Sequence, residues 1–289
     1  MHAAECTIDL PGGSLAARCW GNPALPPLLA LHGWLDNAGS FAALAPLLAG
    51  QFHVVAVDLR GHGRSSHLPP GAWYHYVDAF DDIAAVFAHF GWQRAALLGH
   101  SLGATLASLF AAAFPERVVE LLLIEGLGPL SGRAEDALQR LRTALDQRSA
   151  FASRRPLRIF GSLDQAIAAR VKAGGLTAAA ARPIVERGVE AVAGGLVWSS
   201  DPRLTLASAV RFTEPQVLAM LAGIRAPTVL VLADPATPYL PEAMMRARVA
   251  QVAGIRVSHL PGHHHVHLVH AEAVAGNLLQ GLDAALDGK

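Results

Sequence analysis

Short apolar runs, punctuated by glycine, proline and polar residues, alternate with helical spacing through the first third of the chain. The strand-like runs are Glu5 to Leu10, Leu15 to Trp20, Pro27 to Leu31, His53 to Val57, Ala95 to Leu98 and Val119 to Ile124. Periodicity near 3.6 predicts helices at Ser40 to Leu48, Tyr74 to Phe90 and Ser101 to Phe114. Such alternation builds a parallel sheet with helices on both faces, because each crossover helix must bury its apolar stripe on the sheet. The first two runs, joined by Pro11-Gly12-Gly13, read instead as an antiparallel hairpin.

From Ser131 to about Thr213 the strand signal stops and Ala, Arg and helical spacing take over. Strand character returns at Pro227 to Leu232 and Ile255 to Leu260, with helices at Pro241 to Val252 and Ala271 to Leu286. The pattern therefore predicts an α/β fold on a mostly parallel eight-stranded sheet. Residues 1–130 and 212–289 would form the core, interrupted by a helical insertion at 131–211. Ala95 to Phe114 is uncharged over about a membrane thickness, but Gly99, His100, Ser101 and Gly103 break it into strand, turn and helix, so a membrane span is not expected.

Composition narrows the partners. Hydrophobic residues make up 52% and charged residues 16%, and 23 Lys+Arg cancel 23 Asp+Glu. A neutral chain lacks the basic surplus that nucleic acid requires, so a small, weakly charged ligand is expected instead. Cys6 and Cys19 lie on neighbouring predicted strands. They are read as two free thiols, although a disulfide is geometrically conceivable. Met1 to Gly13 shows no basic region followed by an apolar run, which leads to the expectation of a cytoplasmic protein.

Gly99-His100-Ser101-Leu102-Gly103 supplies the first chemistry. A serine on a sharp strand-to-helix turn needs small flanking residues, and the helix that follows aims its first amides at a developing oxyanion. Ser101 is thus the candidate nucleophile. The backbone N–H groups of Leu102 and of Trp34, after the third strand, are the candidate oxyanion hole. His32, Gly33, His100 and Trp198 are candidates for the substrate wall. Phe151 and Phe160 in the insertion are further lining candidates. Asp58 to Ser65, with its paired glycines, reads as a structural loop that Asp58 and Arg60 could brace by an ion pair.

Five histidines crowd the stretch His263 to His270, after the last strand. Adjacent histidines on one loop seldom converge on a metal, so no metal is expected, and a general base is the preferred reading. Glu125, closing an apolar strand, and Asp234, after a later one, are the carboxylates placed to orient that base.

Leu31 to Asn37, Asp58 to Ser66, Gly99 to Gly103 and Pro261 to His264 together resemble the serine hydrolase-like branch of the α/β-hydrolases, a likeness that extends over the whole chain. The resemblance implies a helical cap, no cofactor, and a base at the third residue of Gly262-His263-His264, which selects His264; His263 and His265 would flank it and His267 would sit at the pocket rim. It also places the usual acid at Ala236, so the acid must be displaced, with Glu125 preferred and Asp234 the alternative. The expected activity is hydrolysis of a small carboxylic ester by water. Amide, lactone or carbon–carbon hydrolysis, or weak ligand binding on the same fold, are the alternatives. Monomer and dimer both remain open.

Overall fold

The computed structural model describes residues 3–151 and 157–287. Eight strands form one sheet: β1 (Ala4–Leu10), β2 (Gly13–Trp20), β3 (Pro27–Leu31), β4 (His53–Val57), β5 (Ala95–His100), β6 (Val118–Ile124), β9 (Thr228–Asp234) and β10 (Arg256–Pro261). Their spatial order is β1-β2-β4-β3-β5-β6-β9-β10. β1 and β2 pair antiparallel, as do β2 and β4, and every later neighbour is parallel.

The central strands are apolar almost throughout because both faces are covered. One face packs against α2 (Ala79–His89), α3 (Leu102–Ala113), α7 (Glu214–Leu221) and α8 (Glu242–Val249), burying Val86, Phe87, Phe110, Leu221 and Met245. The other packs against α1 (Ala45–Leu48) and α10 (Ala271–Asp287), burying Leu44, Leu48, Val274 and Leu278. The expected helix at Ser40 to Leu48 is in fact a 3-10 turn, Ala38–Phe41, followed by the single turn of α1. Likewise Tyr76–Asp78 is a 3-10 turn ahead of α2. Cys6 and Cys19 are free thiols on the first hairpin, half-buried, with their sulfurs 3.3 Å apart.

The insertion adds no strand to the main sheet. It carries α4 (Ala137–Ser149), α5 (Leu163–Gly174) and α6 (Ala178–Gly188), and also a feature absent from the helical expectation, a hairpin of β7 (Val189–Val192) and β8 (Gly195–Trp198). That hairpin turns on Gly194 and Gly195 at positive φ, and its strands are too short for an alternating pattern to show. Phe160, Ile167, Ala181 and Val185 give the insertion its own apolar cluster.

Buried polar contacts fasten the insertion to the core. Arg187 on α6 places Nε 2.8 Å from Asp58 Oδ1 and Nη1 2.7 Å from Glu5 Oε2. Asp58 also accepts the backbone amides of Ala38 and Arg64. Arg60, expected to brace Asp58, instead pairs with Asp82 at 2.7 Å, because the fold turns Asp58 inward to meet the insertion. Arg170 on α5 pairs with Asp36, and Asn37 Nδ2 donates to the Ile184 carbonyl at 2.8 Å. Among the described residues no helix is long and apolar enough to cross a membrane.

Truncating one partner of a buried pair strands the other charge, which costs about 3–5 kcal/mol. Arg187→Ala should therefore lower the urea-derived stability by about that amount, and Arg182→Ala, which breaks only exposed pairs, by less than about 1 kcal/mol. Equal effects from the two variants would remove Asp58 and Arg187 from this role.

Candidate active site

β3, β5, β6 and β9 all end at the same edge of the sheet, where open α/β sheets place their ligand sites. Ser101 joins β5 to α3 with φ 53° and ψ −110°, a conformation rarely held by a non-glycine residue. Its N–H donates to Ile124 O at 3.0 Å, and its carbonyl accepts from Thr105 N. Gly103 makes the turn possible: a Cβ there would lie 1.8 Å from the Leu31 carbonyl oxygen, so any side chain would push α3 off the end of β3. Leu102 is the first residue of α3, so its N–H has no acceptor within the helix.

Glu125 follows β6 with φ 54°, another strained residue. Its Oε1 accepts the Ala233 amide at 2.5 Å, and its Oε2 accepts from the Thr237 hydroxyl and lies 3.1 Å from His264 Nδ1. Burial pushes the carboxyl upward, but hydrogen bonds from His264, Thr237 and Ala233 outweigh it and hold the group below its ordinary 4.5. Asp234 sits at the exposed end of β9, and its carbonyl accepts the Gly262 amide. Of these two carboxylates, the fold brings Glu125 to His264. Tyr239 stands edge-on to the His264 ring at 5.0 Å.

Two expected wall residues lie beneath the site rather than in its wall. His32 and His100 are both fully buried. His32 Nε2 accepts the Leu59 amide at 2.9 Å, which leaves Nδ1 to donate to Gly33 O at 2.7 Å. The Nε2 of His100 lies 2.8 Å from the His264 carbonyl, so the residue before Ser101 holds the histidine loop by its backbone. Gly33 presses on the same ring, since a Cβ there would meet His100 Nδ1 at 2.9 Å. Trp198 packs on Phe160 at 5.2 Å inside the insertion's own cluster, so neither aromatic lines the cavity. Phe151 meets Trp73 edge-on at 6.0 Å.

Trp34 is the expected residue that does face open space. It is 53% exposed and donates from its indole to Leu204 O at 3.0 Å. Together with Leu102 it walls a cavity of about 200 Å³ that also touches Trp73, Tyr74, Tyr76, Arg148 and Leu206.

Of the remaining histidines, His267 lies beneath the site rather than at its rim, with His265 part-buried beside it, whereas His263 and His270 are exposed. His267 is fully buried, 4.1 Å from the His100 ring, with Nε2 2.8 Å from Ser40 Oγ. His265 Nε2 lies 3.5 Å from Asp36. Burial would raise the Asp36 carboxyl, but His265 and Arg170 bring it down to about 2. Asp36 and Arg170 escaped the sequence reading because they are 134 positions apart; the only signal was the polar Asp36-Asn37 pair closing an apolar loop. Thr237 gave no signal at all. Among the described residues no group of three or more His, Cys, Asp or Glu side chains is arranged to hold a metal ion.

Burial holds the His62 and His267 rings neutral, with pKa values lowered from 6.5 to about 3. Once unfolded they take up protons below about pH 6.5, so the unfolded state binds more protons and stability falls with falling pH. Between pH 6.5 and 5 each ring should remove about 2 kcal/mol. Urea midpoints measured from pH 8 to 5 should fall accordingly, with a shallower slope in His267→Gln; a flat profile would overturn the neutral assignment.

The family model described as the alpha/beta hydrolase fold matches residues 26–181, more than half of the chain. A serine hydrolase-like protein of Danio rerio is 31% identical over 281 residues, covering 94% of this chain and 86% of that protein. The crystal structure of a hypothetical protein from Pseudomonas aeruginosa PAO1 is 40% identical, with a TM-score of 0.91 and coverage of 97% of this chain and 99% of that one. A thioesterase domain from the curacin biosynthetic pathway is 30% identical with a TM-score of 0.84, covering 96% of this chain and all of that domain, 100%. With its eight-stranded sheet and its serine at the turn after β5, the chain belongs to the α/β-hydrolase family, in the serine hydrolase-like branch.

Proposed function

We propose that the protein is a serine hydrolase that cleaves a small carboxylic ester through an acyl-enzyme, with Ser101 as nucleophile, His264 as base and Glu125 as acid. The observation that carries this reading is the 3.1 Å contact between His264 Nδ1 and Glu125 Oε2, at the same sheet edge as a serine held at φ 53°.

The chemistry follows from the tautomer. Glu125 is ionised at neutral pH and accepts a hydrogen bond from the Nδ1–H of His264, which leaves Nε2 free to accept the Ser101 hydroxyl proton. The serine oxygen adds to the ester carbonyl, and the Trp34 and Leu102 amides stabilise the oxyanion. His264 then gives its proton to the departing alcohol. A water, deprotonated by the same Nε2, attacks the acyl-enzyme and releases the acid, restoring Ser101. Three hydrogen-bonding groups hold the Glu125 carboxylate, so it can orient the imidazole while staying charged. The cavity beside Trp34 and Leu102, about 200 Å³, lies below the roughly 300–1,000 Å³ of sites for drug-sized ligands, which favours a short substrate. The similarity to a thioesterase domain favours acyl transfer to water over carbon–carbon cleavage.

Hydrolysis of p-nitrophenyl acetate and labelling by a fluorophosphonate test the reading together. Wild type should label and turn over, and Ser101→Ala should do neither. Glu125→Gln should lose about 10⁴ in kcat, as loss of the orienting acid does elsewhere, while Asp234→Asn should match wild type. An unlabelled wild type, or an active Ser101→Ala, would reject the hydrolase reading in favour of ligand binding or of turnover at another site.

A further inference from the structure

Three arginines line the cavity, and two already have acceptors. Arg60 is held bidentately by Asp82, at 3.1 and 2.7 Å. Arg203 binds Asp201 at 2.6 Å and donates to the carbonyls of Leu68, Pro69 and Ala72. Arg148 differs. Its guanidinium lies 5.2 Å over the Trp73 ring with Nη2 3.5 Å from His75 Nε2, and no carboxylate of the described residues forms an ion pair with it.

The helix that carries Arg148 is turned against its own amphipathic logic. Leu138, Leu141 and Leu145 of α4 face solvent at 78%, 41% and 49% exposure, while Arg140, Thr143, Gln147 and Arg148 turn inward around the buried Ala144. Gln147 fixes that rotation by accepting the Ala207 amide at 2.7 Å. An amphipathic helix gains most by burying leucines, and local rules of this kind are broken mainly where function intervenes. Arg140 and Arg211 bring further positive charge close together, both side chains lying against Gly132. The negative group on the wall outside the Arg60 pair is Asp78, which is exposed at the N-cap of α2 and forms no ion pair with Arg148.

A guanidinium stacked on an indole has already lost much of its rotamer freedom, and it keeps its in-plane donors for a planar anion. We propose that Arg148 anchors a carboxylate carried by the substrate, so that the ester cleaved at Ser101 bears an acid on its acyl or its alcohol side. This rests on the hydrolase reading above and adds the substrate class to it.

Two matched pairs test it: mono-4-nitrophenyl adipate against 4-nitrophenyl methyl adipate for the acyl side, and 3-acetoxybenzoate against methyl 3-acetoxybenzoate for the alcohol side. In wild type one pair should show a kcat/KM ratio favouring the carboxylate by about tenfold or more, the scale of one charge-assisted hydrogen bond. Arg148→Gln should bring that ratio near one, Arg148→Lys should retain part of it, and Arg142→Gln, on the solvent face of α4, should keep it. Ratios near one in both wild-type pairs, or a preference that survives Arg148→Gln, would overturn the assignment while leaving hydrolysis intact. Calorimetry with adipate and with 3-hydroxybenzoate separates the two readings. Binding that depends on Arg148, in a protein that turns over no ester, would keep the anchor and reject the hydrolase; neither binding nor turnover would reject both.

Discussion

The contact on which the site depends is the approach of α3 to the end of β3, where Gly103 lies so close to Leu31 that only a hydrogen fits between them. That approach forces the chain through Ser101 at positive φ and lifts the serine above the sheet edge. It also sends the preceding His100 downward, where the imidazole is wedged between Gly33 and the backbone of His264. One turn thereby sets the serine, the loop of the candidate oxyanion donor and the loop of the candidate base. A strained residue persists only where its surroundings over-determine it, and here the bond from Ser101 N to Ile124 and the packing of α3 supply that support.

The second support is electrostatic. Asp58 and Asp36, both fully or nearly fully buried, are each met by an arginine from the insertion. Their positions in the loops after β4 and β3 tie the insertion to the site. Buried pairs of this kind add little net stability beyond what apolar packing could supply. What they add is register: Arg187 reaches Asp58 only if α6 lies as it does, and Arg170 meets Asp36 directly below the histidine loop.

Polarity within the site divides by depth. Under the histidine loop, His100 and His267 are neutral because burial removes the water that would solvate their charge, and the same holds for His62, in the loop after β4, whose ring meets His32. At the surface of the same cluster His264 is part-exposed and in contact with a carboxylate. The crowding of histidines in the sequence thus reflects different environments: His267 packs as a neutral ring, His264 is part-exposed against Glu125, and His263 and His270 are exposed.

Much of this was legible in the chain itself. Apolar runs and their punctuation located the eight strands of the sheet, most sharply the central ones, because a strand buried on both faces must be apolar throughout, and Gly99 and Gly103 marked the turn because a Cβ at either would overlap backbone. The interrupted helices near Ser40 and Tyr74 were not legible, since 3-10 and α turns share nearly the same apolar spacing. Nor was the β7–β8 hairpin, whose strands are four residues each. Sequence put Glu125 ahead of Asp234 as the partner of His264 but carried no record of the contact itself, which depends on the parallel pairing of β6 with β9 and on the backbone at Glu125. Burial of His32 and His100, the Asp36–Arg170 pair and the inward turn of Arg148 were likewise decided by tertiary structure alone. Each depends on which distant element covers a given side chain, and a local pattern of hydrophobic and polar residues carries no record of that.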